Sequence, residues 1–152
     1  MAVPNQVAAI FTLMGVMFAL PLAWFSWRLT RFPLDSPERV VGELRLSQAA
    51  ATLLALDAGV YAGLAAAAES MPGVAPDVAL AGAFAGAALL SQLREPRRAL
   101  ALLAVAFAAH ALAGIAHRPG LMPVIAPRWL AVGGASFDLL FAAICFAPVV
   151  RR

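Results

Sequence analysis

Long apolar runs, separated by short segments rich in proline and arginine, dominate the chain. They predict helices over Val7–Trp27, Leu46–Ala68, Asp77–Leu93, Ala99–Ala116 and Trp129–Val150. A bilayer core of about 30 Å takes roughly 20 apolar residues in a helix, so each run is a candidate membrane span. The third and fourth runs are the shortest, at 17 and 18 residues, and a single deep hairpin would be the alternative to two spans. The segment between them, Ser91 to Arg98, holds three arginines, which an aqueous turn accepts and a membrane interior does not. Five spans are therefore expected.

The prolines punctuate the same boundaries. Pro33 and Pro37 precede the second run, Pro72 and Pro76 the third, Pro96 the fourth, and Pro119, Pro123 and Pro127 the fifth. Proline is tolerated in the first turn of a helix, where its missing N–H has no partner to lose. Ser36-Pro37-Glu38 reads as an N-cap, a first-turn proline and an acid favoured by the helix dipole, so the second helix is expected to begin near Pro37.

Composition sharpens the class. Of the 152 residues 63% are hydrophobic and 12% charged, and mean hydropathy is +0.88. Soluble domains carry roughly 45–50% apolar and about 25% charged residues. A small soluble fold leaves too much surface exposed to hide this much apolar area, which excludes a water-soluble monomer, a disordered chain and a nucleic-acid-binding domain. The chain has 37 alanines and no lysine, so all eleven basic residues are arginine. Threading five spans alternately puts nine arginines on one side and two on the other, which predicts an N-terminus outside and a C-terminus in the cytoplasm. The net charge of +3 then follows from topology and suits an anionic lipid surface. The N-terminal run lacks a basic n-region and a small-residue cleavage site, so it is not read as a signal peptide. The lone cysteine, Cys145, lies in an apolar run and makes no internal disulfide.

The middle spans are smooth. Gly59 and Gly63 lie four apart on one helical face, as do Gly82 and Gly86. Small residues let helix backbones approach closely in lipid, so these glycines are expected to pack the second helix against the third, with a partner helix as the alternative.

Three ionisable residues fall inside the runs: Asp57, His110 and Asp138. An acid at the bilayer centre costs about 2.5–3.5 kcal/mol on insertion scales and needs a reason to be there. At a rise of about 1.5 Å per residue they lie roughly 16, 10 and 14 Å from the outer ends of their spans. They meet at one level if the second, fourth and fifth helices are neighbours. Tyr61, one turn after Asp57, is placed to donate a hydrogen bond to it. The functional reading is a site for a proton, an ion or a lipophilic ligand with a polar head; the structural reading is a clasp between helices. His110 and His117 are seven apart on one face, a spacing that suggests haem or metal ligation, but no cysteine or glutamate lies near and no metal is expected.

The second half resembles a family of small bacterial membrane proteins related to the DoxX-like proteins. The resemblance is carried by Ala79-Leu80-Ala81-Gly82-Ala83-Phe84-Ala85-Gly86, Arg97-Arg98, Ala109-His110-Ala111-Leu112-Ala113-Gly114 with Pro119-Gly120, and Phe137-Asp138-Leu139-Leu140. The chain departs from that pattern in having five expected spans rather than four and His110 where arginine is common. It also lacks the acidic-x-arginine pair before the glycines. The resemblance implies a helical bundle in the bacterial inner membrane, with a lipophilic pocket or a subunit role beside a redox enzyme.

No phosphate-cradling loop, nucleophile elbow, paired-cysteine motif or zinc-protease helix is present in the sequence, so binding is expected rather than catalysis. The expected protein is an all-α polytopic bundle, either an accessory subunit of a larger membrane complex or a lipophilic-ligand binder. Proton-coupled transport, or a membrane-subunit role in an oxidoreductase through Asp57, His110 and Asp138, is the alternative. No cofactor follows from the sequence. The expected partners are the bilayer and either other membrane subunits or further copies of the chain, not nucleic acid.

Overall fold

Five helices follow one another in a computed structural model that describes residues 3–67, 71–117 and 127–151. They are α1 (Val3–Leu29), α2 (Pro37–Ala67), α3 (Met71–Ser91), α4 (Pro96–Ala116) and α5 (Arg128–Val150). Four of them, α1, α2, α4 and α5, are long and apolar enough to cross a membrane; the apolar stretch of α3, Ala75–Ser91, is shorter. The described residues form no strand. The chain is thus all-helical and compatible with an integral membrane protein. Arg118, Pro119, Pro123 and Arg152, which the arginine and proline arguments used, lie outside the described residues.

The boundaries follow from local chemistry. Helix α2 begins at Pro37, where the Ser36 hydroxyl accepts the backbone N–H of Arg39 at 3.2 Å. Helix α4 begins on Pro96. Helix α3 starts at Met71, six residues ahead of the expected Asp77, and takes Pro76 inside it. That early start matters below, because it moves Asp77 from a boundary into the helix.

Neighbours in sequence alternate in direction, and α5 packs against both α4 and α1, while α2 packs against α3 and α4. The core comprises Leu46 and Leu54 from α2, Leu100, Leu103 and Phe107 from α4, and Phe141, Ile144 and Cys145 from α5. Phe107 and Phe137 both stack on Phe141, at centroid distances of 5.5 and 4.4 Å. Large apolar side chains also point outward on every helix, including Met14, Leu56, Leu89, Leu112 and Phe146. A helix apolar on all sides belongs in lipid.

The arginine-rich end is built around a buried charge. Arg39 donates to Glu43 Oε1 at 2.9 Å and to the carbonyls of Phe32, Pro148 and Arg151 at 2.9–3.0 Å. Arg97 adds a bond to the Val149 carbonyl at 2.6 Å. The carbonyls of Pro148, Val149 and Arg151 belong to the last turn of α5 and its exit, which has no helical N–H to bond them, while Phe32 lies in the α1–α2 connection. Arginines from the starts of α2 and α4 therefore cap the end of α5. On the surface of the same end, Arg31 lies 3.8 Å over the Trp27 ring and Arg28 4.9 Å over Trp24.

The glycine expectation needs correction. A Cβ placed on Gly59, Gly63, Gly82 or Gly86 meets nothing within 4 Å, so the α2–α3 contact does not run through these residues. The close approaches lie elsewhere. A Cβ on Gly114 would stand 2.8 Å from the Tyr61 hydroxyl, and Gly42 and Gly133 are covered directly by Leu29 and Phe11. The reason is geometric: a four-residue glycine spacing smooths a face without saying what covers it.

Candidate functional site

Asp57, His110 and Asp138 come from α2, α4 and α5 and meet inside the bundle. His110 Nδ1 lies 2.8 Å from Asp138 Oδ2 and 3.3 Å from Asp57 Oδ2. His110 and Asp138 are each 2% exposed, while the Asp57 side chain is 22% exposed. Two aromatic rings fix the imidazole edge-on: Tyr61 at 4.8 Å and Phe84 of α3 at 4.7 Å. Among the described residues, Asp57 Oδ2 and Asp138 Oδ1 are buried with no hydrogen-bond partner. Tyr61 does not bond Asp57 as expected from their one-turn spacing; its hydroxyl lies over Gly114 instead.

A second pair sits beside the first. His117 Nε2 is 2.7 Å from Asp77 Oδ1, and its Nδ1 donates to the Ala113 carbonyl at 2.8 Å. Both ring nitrogens are engaged, so His117 does not share a ligand with His110. Asp77, expected only as the first residue of a span, and His117, which lies at the end of α4, are both buried. Tyr61 also flanks His117, at 5.9 Å, and a cavity of about 10 Å³ lies among Tyr61, Asp77, Phe84, His110 and His117. That is about the space one water occupies. The signal that finds this pair is hairpin symmetry. Asp77 and His117 each lie twenty residues from Arg97, and Phe84 and His110 each lie thirteen from it, so the short turn between α3 and α4 brings both pairs face to face.

Asp57 faces two ways. It belongs to the buried cluster and it also lines a cavity of about 360 Å³ between α1, α2 and α5. Phe11, Met14 and Phe18 of α1, Val60 of α2, and Leu130 and Phe137 of α5 supply apolar walls, and among the described residues Asp57 is the one charged residue in the lining. Gly134 borders the cavity too, with open space where a Cβ would stand. Met14, Phe18 and Val60 are also exposed on the outer surface of the bundle, so the cavity lies at the periphery.

A volume in this range, apolar walls and one fixed polar group describe an ordinary small-molecule pocket. Compared with known proteins, the chain matches no family model, no curated protein sequence and no solved structure.

Proposed function

We propose that the chain is a five-span protein of the bacterial inner membrane, with its arginine-rich end in the cytoplasm, that binds a lipophilic ligand bearing a hydrogen-bond-donating or cationic head. The observation that carries this reading is Asp57. Among the described residues it is the one charged residue lining an apolar cavity at the bundle's periphery, and the His110–Asp138 pair lies behind it, with His110 Nδ1 at 3.3 Å. The ligand's apolar body lies against Phe11, Met14, Phe18 and Phe137, and its head meets the Asp57 carboxylate. A hydrogen bond to a charged group contributes roughly 1.5–3 kcal/mol, and in a dry site it also selects against ligands that lack a donor.

The test is extraction of the protein in native membrane patches, followed by mass spectrometry of the compounds retained. A lipophilic compound enriched over bulk lipid is expected with the wild-type protein. Gly134 has open space where a Cβ would stand, so Gly134→Leu projects into the cavity and should displace the compound, and Asp57→Asn should weaken it roughly tenfold, a change of about 1.4 kcal/mol. Retention of bulk lipid alone, unchanged by Gly134→Leu, would overturn the proposal. A subunit role beside a redox enzyme, which the DoxX-like resemblance implies, uses the same pocket; co-purification under mild detergent distinguishes a solitary binder from a subunit.

A further inference from the structure

We propose that Asp57, His110 and Asp138 bind one divalent first-row transition ion. Three observations carry this. First, His110 Nδ1 faces two carboxylate oxygens from two helices, at 2.8 and 3.3 Å, and a single ring nitrogen carries at most one proton. A proton there satisfies Asp138 or Asp57 but not both, and Asp57 Oδ2 and Asp138 Oδ1 are left without a partner among the described residues. A cation bound by His110 Nδ1, Asp57 Oδ2 and both oxygens of Asp138 satisfies all these atoms at once.

Second, the spacing fits. Each residue offers one ligand atom, and these atoms lie within 4.8 Å of one another. An ion held at about 2.0–2.2 Å sets neighbouring ligands about 2.8–3.1 Å apart at right angles, or about 3.3–3.6 Å apart at the tetrahedral angle. The two measured edges, 2.8 and 3.3 Å, fall one in each range, and the remaining Asp57–Asp138 edge must close to within about 4.4 Å for one ion to hold both. Third, the charge closes. Asp138 is buried and Asp57 is partly so, and the one cationic partner either has among the described residues is His110, which they share and which carries at most one positive charge. A divalent ion balances both carboxylates.

One imidazole and two carboxylates suit Zn²⁺, Fe²⁺ or Mn²⁺, while the absence of thiolate in the set disfavours Cu⁺. The aromatic edges of Tyr61 and Phe84 hold the ligating ring in its orientation. Because Asp57 also lines the neighbouring cavity, the free coordination position is approached from that side. The ion site shares Asp57 with the proposed ligand pocket, but it stands whether or not that pocket is filled.

The test uses the full-length protein in detergent, stripped with a chelator and then equilibrated with Zn²⁺ or Co²⁺. The wild type should retain about one ion per chain after desalting, and its thermal unfolding should shift upward with ion concentration, since an ion that binds the folded state stabilises it. The cobalt form should show visible ligand-field bands. Asp138→Asn and His110→Gln should weaken retention by roughly tenfold or more and, lying outside the cavity lining, should leave the lipophilic compound in place, whereas Arg98→Ala, exposed and remote from the cluster, should leave ion retention unchanged. Loss of the lipophilic compound and loss of the ion are therefore separable. Wild-type protein that retains no more Co²⁺ than Asp138→Asn overturns the proposal. Should neither ligand variant fold, the wild type decides alone: no retained ion overturns the site, and a cobalt complex with a histidine nitrogen in its coordination sphere supports it.

Discussion

Arg39 occupies the interior of an apolar bundle at 1% exposure, and its guanidinium is matched at every turn by an acceptor: one carboxylate and three carbonyls. A planar fork of donors meets this arrangement, and a lysine ammonium on a flexible stem does not. Arg39→Ala strands Glu43, itself 5% exposed, and should cost roughly 3–5 kcal/mol in reversible unfolding from detergent micelles. Arg39→Lys should recover little of that loss. Arg98→Ala is the control, because its pair with Glu95 is long, at 3.5 Å, and exposed; no measurable change is expected. Equal effects at the two positions would show that Arg39 is solvated. In the sequence Arg39 is one arginine among those that set the charge asymmetry, and the Glu43 four residues on is a common helical pairing. What singles it out is the return of α5 to the same end, which only the tertiary fold supplies.

Between helices, smoothness and closeness are different properties. Gly63 and Gly82 sit on smooth faces with nothing over them, whereas Gly114 lies directly under the Tyr61 hydroxyl, whose ring is confined between two histidines. Gly114→Leu should therefore lower stability by about 1–3 kcal/mol through overpacking. Gly63→Leu and Gly82→Leu should stay within about 0.5 kcal/mol of the wild type. Thermal unfolding of the three variants side by side checks this, and the opposite order would mean that a second chain covers the α2–α3 face. The meeting of Asp57, His110 and Asp138 was legible because depth along a span follows from counting residues at a fixed rise. The Asp77–His117 pair was not, because α3 begins a turn and a half earlier than its apolar run does, through prolines that mark a helix start at one position and are absorbed at the next.

At the scale of the whole molecule, helix count and order were legible from the apolar runs, and orientation rests on the arginines alone. If the arginine-rich end is cytoplasmic, a cysteine at exposed Arg94 should resist an impermeant thiol reagent in intact cells, and a cysteine at exposed Pro127 should react. Cys145 is buried at 0% exposure, and replacing it by alanine gives a clean background. Labelling of Arg94→Cys from outside would invert the proposed orientation. The arrangement of the polar cluster also bears on how the protein is made. Asp57 and His110 enter the bilayer with α2 and α4, but Asp138, the partner of His110, arrives only with α5, which follows them in the chain. Until then the acid nearest His110 is Asp57, at 3.3 Å, and the shorter 2.8 Å contact is still unmade. The Asp138–His110 pair and the arginine bonds to its far end tie α5 to the bundle at two levels. A chain truncated before α5 lacks both ties and should be degraded faster in cells than the full-length protein.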